Sequence, residues 1–342
     1  MLNDFTKIVS GAVTVLLAGG LALTAGHSSP AAQAASAPRH VSVDSSVSTP
    51  VASAVSAPLI GSSVTKSTLA QDTSEFGHLP IVRVFYTGMP AANAWTTGLA
   101  GENDSAVIVS FGADPAAILS GSDDAALTQF FDTAPTGHAI YYSYNHEPEV
   151  AIASGQYTAA AYQAAWAHVV ALADQANNPD LHSTLILMAY DVDPASHRDW
   201  LNYLAPGDVI STLGWDAYPQ GATDNYPLAL TPPAVFMGPA VAASEAAGLP
   251  FGFSEFGTSL ATGRAAWLTS VGSYLSTSGA LFGSLFDTAG KLPSMRLTDT
   301  ASITAWQSVV AQSDTANGIT STIRTHSSTA NGVSVRIAGF GS

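Results

Sequence analysis

Residues 139–150 read AIYYSYNHEPEV. The first half of this stretch is continuously apolar and aromatic, the composition of a strand covered on both faces. It runs without a break into His146, Glu147, Pro148 and Glu149. An unpaired carboxylate is costly to bury, so one at the end of such a strand implies a partner or a task. A second run of the same kind, FGFSEFG at residues 251–257, carries Glu255 near its end.

Working outward, further apolar runs lie at residues 59–64, 80–86, 105–111, 183–190, 209–216 and 280–286, which with 139–147 and 250–256 makes eight strands. Helical stretches separate most of them. Residues 158–176 set Tyr162, Trp166, Val169 and Ala173 on one stripe, and residues 263–278 do so with Trp267, Val271 and Tyr274. A last helix over 301–312 carries Ile303, Trp306 and Val310. Strand–helix alternation through eight rounds is the rhythm of an α/β chain folded as a (β/α)8 TIM barrel with one catalytic domain, expected over 57–314. A doubly wound open sheet is the alternative, but no Gly-rich phosphate loop follows the first strand.

The chain has 342 residues, 47% of them hydrophobic and 10% charged, which describes a globular protein rather than a disordered one. Acidic residues number 25 against 10 basic, for a formal charge of −15. Such a field repels phosphate backbones, so nucleic acid is not an expected partner and a neutral substrate is. Cysteine is absent, which excludes disulfides and thiolate zinc sites. No cofactor or metal is expected, and the protein is expected to be a monomer. Asp191 and Asp193 in AYDVDP are two acids, too few for a calcium site.

At the N-terminus Lys7 precedes an apolar run over 8–26, followed by Ala32-Gln33-Ala34 and Ala35-Ser36-Ala37. This is the pattern of a secretory signal with a small-residue cleavage site, so residues 1–37 are read as a signal peptide and the protein as secreted, without stable membrane association after processing. An uncleaved membrane anchor is the other reading. Residues 38–56 read as an Ala/Ser/Pro-rich linker, and residues 315–342 as a polar tail or short hairpin.

In a parallel barrel the working groups sit at the C-terminal ends of the strands. Those ends carry Arg83 in the second strand, Glu147 in the fourth, Asp216 and Tyr218 after the sixth, Glu255 in the seventh and Asp287 after the eighth. Strand alternation puts Asn145 and Glu147 on one side, with His146 facing away. Two carboxyls at two strand ends suit glycosidic bond hydrolysis, in which one protonates the leaving oxygen and the other attacks the sugar or activates a water. Glu149 is the competing candidate for the acid. Trp95, Trp200 and Trp215 are candidates for stacking on sugar rings, with Trp215 favoured for its place beside Asp216, although tryptophan is also ordinary core material.

Glutamates at the ends of the fourth and seventh strands resemble the signature of the large retaining clan of barrel glycoside hydrolases. The His-Glu pair of YNHEPE, in place of the clan's common Asn-Glu, resembles glycoside hydrolase family 26, which holds many β-mannanases. The resemblance covers residues 58 to about 312 and rests on IVRVFY, YNHEPE, GWDAYP and SEFG together. It implies that Glu147 is the acid/base and Glu255 the nucleophile, that Tyr218 touches the nucleophile and that Arg83 steadies it. Asn145, His146, Trp215, Asp216 and Asp287 are then expected on the substrate side. Family mannanases usually continue past the His-Glu pair with a Gly- and Trp-rich stretch, whereas this chain has Pro148-Glu149-Val150-Ala151. The resemblance implies a secreted retaining endo-β-glycanase acting on a polysaccharide, with β-1,4-mannan first. Mixed-linkage β-glucan and xylan are the alternative substrates, and a barrel that binds polysaccharide without cutting it is the alternative function.

Overall fold

A computed structural model describes residues 57–319, apart from 66–67, 97, 99–104, 220–229 and 290–293. The expected signal peptide and linker, and all but the first residues of the expected tail, lie outside the described residues. Among those described, no helix is long and apolar enough to cross a membrane.

Eight parallel strands close into a barrel in sequence order. They are β1 (Leu59–Ser63), β2 (Ile81–Phe85), β3 (Ala106–Phe111), β4 (Ile140–Tyr144), β5 (Leu181–Met188), β6 (Thr212–Asp216), β7 (Phe251–Phe256) and β8 (Phe282–Leu285). Closure comes from β1 on β8, with Leu59 opposite Phe282 and Ser62 opposite Leu285. The helices outside are α1 (Leu69–Phe76), α2 (Pro115–Ser120), α3 (Asp124–Asp132), α4 (Glu149–Ala153), α5 (Ala159–Gln175), α6 (Pro233–Phe236), α7 (Gly238–Ala247), α8 (Arg264–Thr277) and α9 (Thr300–Ala316). The last of these runs past the expected end at 312 and takes in the first two residues of the expected tail, Thr315 and Ala316. Asp299 starts it by accepting from Ser302 N at 2.8 Å. Near its end Ser313 ties it to β1, donating to Pro58 O at 2.7 Å and accepting from Ile60 N at 3.0 Å.

The two faces of each strand go to two different places, which is why the runs read as apolar without alternation. Outward residues such as Val82, Val84, Val107, Val109, Leu213, Trp215 and Phe253 pack under the helices in the main core. Inward residues Ile81, Ala106, Ile108, Tyr141, Ile186 and Phe282 plug the lower end of the barrel. One step higher on the same face the inner side chains become polar: Arg83, Ser110, Ser143 and Ser284, all fully buried. The apolar plug therefore supports a polar layer directly beneath the C-terminal rim.

Candidate active site

Glu255 owes its aim to a fault in β7. The register shifts against β6 between Trp215 and Asp216, and against β8 between Phe253 and Phe256. Phe253 and Phe256 both belong to the outer core, Phe256 meeting Trp306 of α9 edge-on at 5.6 Å. The bulge between them turns Glu255 to the inside, opposite Asp216. Glu255 is only 8% exposed. Its Oε2 accepts from the Tyr218 hydroxyl at 2.6 Å, and its Oε1 lies 3.3 Å from Arg83 Nη2.

Arg83 is the cation beneath the site. It is fully buried, its Nη2 also reaches Asp216 Oδ2 at 3.4 Å, and its guanidinium lies 4.5 Å over the ring of Phe85. One guanidinium thus serves two buried carboxyls. Asp216 also faces Glu147, and a hydrogen bond between two carboxyls requires a proton between them. Burial holds Asp216 well above the usual carboxylate range; Arg83 opposes this, and the charges of Glu255 and Glu147 add to it. A continuous set of groups results, from Tyr218 through Glu255, Arg83 and Asp216 to Glu147.

Glu147 does not sit on a strand. β4 ends at Tyr144, and Asn145 and Glu147 both have left-handed backbones, with φ of 45° and 50°. Glu147 N donates to Ile186 O at 3.0 Å, which keeps this turn on β5. Glu147 is half-buried and can reach a substrate, whereas Glu149 is fully buried and cannot. That removes Glu149 as the competing acid.

The left-handed turn also overturns the expected facing of Asn145 and His146, because alternation stops where the strand stops. The ring of His146 lies 5.5 Å from that of Phe85, on the inner face of β2. The amide of Asn145 is committed to the backbone of Ala113, accepting from its N at 3.0 Å and donating to its O at 2.7 Å.

Two expected substrate contacts are corrected. Trp215 is fully buried on the outer face of β6, where its Nε1 donates to Ser244 of α7 at 2.9 Å and its ring meets Trp200 edge-on at 5.7 Å. Neighbours in a strand face opposite ways, so Asp216 inside puts Trp215 outside. Trp95 is core as well, stacked on Phe130 at 4.9 Å. Asp287 is 1% exposed and turned away from the two glutamates: its Oδ1 accepts from Leu297 N at 2.6 Å and its Oδ2 pairs with Arg296 at 2.9 Å. Arg296 also pairs with Asp72 and Glu75. Among the described residues Asp72, Glu75 and Asp287 are the acids spaced to hold an ion, and Arg296 supplies their positive charge. Asp191 pairs with Arg198 at 2.7 Å and Asp193 caps a short turn through Ala195 N at 2.8 Å, so neither is set for calcium.

No family model and no curated protein matches the sequence. Solved structures do match. The catalytic domain of a family 26 endo-β-1,4-mannanase from Bacillus sp. JAMB-750 superposes with a TM-score of 0.53 at 12% identity, over 75% of this chain and 86% of that one. A family 26 β-mannanase from Bacteroides ovatus gives 0.52 at 12%, over 77% and 90%. An exo-β-1,4-mannosidase from Opitutaceae bacterium strain TAV5 gives 0.53 at 14%, over 76% of this chain and 60% of that longer one. The chain has the fold of the family 26 β-mannanases.

On this mannanase-type barrel, sequence reasoning missed the surroundings of Glu149. Its Oε1 accepts from Met188 N at 2.9 Å, while its Oε2 and the Oδ2 of nearby Asp191 are buried without a partner. The signal that would have found it is the same one that found Glu147, an acid at the end of an apolar strand. Its neighbour, Asp191, comes from the equivalent end of the next strand.

Proposed function

We propose that the protein is a retaining glycoside hydrolase of family 26 type that cleaves internal β-1,4-mannosidic bonds in mannan, after export from the cell. The observation that carries this reading is the Glu255 carboxylate, bound on one oxygen by Tyr218 and flanked on the other by Arg83, in one connected set with the Glu147–Asp216 pair. The structures with this fold include enzymes described as β-1,4-mannanases and a β-1,4-mannosidase, which supports mannan.

In the first step Glu255 attacks the anomeric carbon and forms an ester with the sugar, while the glycosidic bond breaks and the leaving oxygen takes a proton from Glu147. Asp216 is 2% exposed and Glu147 half-buried, so Glu147 is the carboxyl of the two that can hand a proton to substrate. In the second step Glu147 takes a proton from water, the water oxygen attacks the anomeric carbon, and the ester bond to Glu255 breaks. Two inversions give net retention. Arg83 remains fixed throughout and offsets negative charge on whichever carboxyls are ionised.

The test is incubation of purified protein with mannan, mixed-linkage β-glucan and xylan, following new reducing ends and, by proton NMR, the first anomer formed. The β-anomer is expected first. Activity on glucan or xylan alone would replace the sugar and leave the mechanism, whereas an initial α-anomer would overturn the mechanism. Glu255→Ala should abolish turnover even of activated aryl glycosides. Glu147→Ala should spare part of the first step on those substrates and be partly rescued by azide. Export is tested by N-terminal sequencing of mature protein, expected to begin between Ala35 and Pro38.

A further inference from the structure

Glu149 and Asp191 form a second buried carboxyl pair, separate from Glu147 and Asp216. Glu149 is fully buried and Asp191 is 2% exposed. One oxygen of each is satisfied by an N–H donor: Glu149 Oε1 by Met188 N at 2.9 Å, Asp191 Oδ1 by Arg198 Nη1 at 2.7 Å. The remaining oxygens, Glu149 Oε2 and Asp191 Oδ2, are buried with no hydrogen-bond partner. Asp191 acts on the Glu149 carboxyl at close range and raises its affinity for a proton. Ionised carboxylates have no hydrogen to give, so these two oxygens can satisfy each other only through a proton between them. With that proton, two carboxyls and one guanidinium sum to zero charge; without it, a net negative charge is left in a dry site.

The location gives the pair its consequence. β4 and β5 pair directly from Ile140 opposite Leu181 to Tyr142 opposite Ser183. Beyond Tyr144 the chain turns through the left-handed Asn145 and Glu147, a conformation that costs free energy in a residue other than glycine. Two contacts return this turn to β5: Glu147 N on Ile186 O, and Met188 N on the Glu149 carboxyl, where a strand would offer a backbone carbonyl. We propose that Glu149 is a positioning residue, and that the proton it shares with Asp191 locks the Glu147 turn onto β5 and so fixes the acid/base carboxyl toward the leaving oxygen. The role assigned to Glu147 here rests on the glycosidase reading above.

The groups facing Glu149 are Asp191 and Arg198 from the segment after β5, Glu147 from its own turn, Tyr157 and Tyr162 from the α5 side, and Tyr203 beyond. Arg198 is the cation among them, and Asp191 already engages it. Burial first, then the close approach of Asp191 and the charges of Asp191 and Glu147, hold the Glu149 carboxyl well above its ordinary value of 4.5. The folded-state value is raised, so the stabilisation is complete below about 4.5 and is lost as pH rises through the folded value.

Glu149→Gln tests this directly, because the amide accepts from Met188 N, donates to Asp191 and never ionises. Its melting temperature relative to wild type should climb as pH rises above about 4.5. Its hydrolysis of polymer should stay near wild type. Glu149→Ala removes the clamp and should slow polymer hydrolysis roughly 100-fold through a displaced acid. Activated aryl glycosides, which need little acid help, should lose much less. Parallel stability–pH curves for wild type and Glu149→Gln would overturn the shared proton. Equal losses on polymer and aryl substrates in Glu149→Ala, or a Glu149→Gln as slow as it, would overturn the positioning role. If Glu149→Ala does not fold, Glu149→Gln still decides the shared proton, and Asp191→Ala, which removes the other half of the clamp, should show the same greater loss on polymer than on aryl substrates; equal losses there would overturn the positioning role. A wild type that cleaves no glycan would remove the positioning role together with the glycosidase reading, while the stability comparison would still decide the shared proton.

Discussion

Tyr218 donates its hydroxyl to Glu255 Oε2 over 2.6 Å while Arg83 lies 3.3 Å from the other oxygen of the same carboxylate. The two differ in what they can do as the reaction proceeds. In the proposed reaction Glu255 loses its charge on becoming an ester and regains it as the ester breaks. The phenol strengthens its hydrogen bond as that charge returns, so it favours the departing carboxylate. Hydrogen bonds to charged groups contribute about 1.5–3 kcal/mol, which is roughly tenfold to 100-fold in rate. Tyr218→Phe keeps the ring, packed edge-on to Phe286 at 6.2 Å, and should lower kcat by that factor with a smaller change in KM. Steady-state kinetics on the preferred polymer checks this; an unchanged kcat would show that the contact does not act in the reaction.

The fold was legible because burial of both faces writes eight continuous apolar runs, and each of the eight expected strands overlaps an observed one. Arg83, Glu147, Asp216, Tyr218 and Glu255 come together because rim residues of a closed barrel converge whatever their separation in sequence. The corrected residues share a different logic. Trp215 was misjudged by giving strand-end position more weight than facing, although alternation with Asp216 would have put it outside. Asn145 and His146 depend on a left-handed turn; asparagine adopts that backbone more readily than most residues, but Glu147, the other left-handed residue, gives no such sign. Asp287 answers to Arg296, whose other partners, Asp72 and Glu75, lie more than two hundred residues away on α1. A pairing that distant leaves no local pattern. The β7 bulge that aims Glu255 is equally silent, since FGFSEFG reads as a regular strand.

The cluster around Arg296 yields a stability prediction with a definite sign. Burial pushes Asp287 up to about 7 from 3.8 and also raises Asp72, with Arg296 opposing both. Raised folded-state values mean that their contribution is complete below about 3.8 and is lost as pH rises toward 7. Arg296→Met leaves three carboxyls without their cation and should cost about 3–5 kcal/mol at neutral pH. At pH near 4, where the buried acids hold their protons, the cost should be distinctly smaller. Denaturant unfolding at the two pH values measures the difference. An equal loss at both would mean that Arg296 acts by packing, not by charge.

Asp216 yields the sharpest test of how the acid keeps its proton. It is buried beside Arg83, and burial together with the charges of Glu255 and Glu147 raises its affinity for a proton. Asp216→Asn preserves the shape and the neutral form but removes the proton that can move. Its amide can donate to an ionised Glu147, which favours the state that has already lost the catalytic proton. The alkaline limb of kcat/KM should therefore move to lower pH, by about one unit if the hydrogen bond has ordinary strength. Polymer hydrolysis at neutral pH should fall accordingly, and activated aryl glycosides should be affected less because they do not wait for the proton. Arg83 keeps its contact with Glu255 in this variant, so the nucleophile retains its counter-charge. A uniform drop with an unmoved pH profile would mean that Asp216 serves only to hold Arg83 in place, and the proton would then have to reside on Glu147 without help.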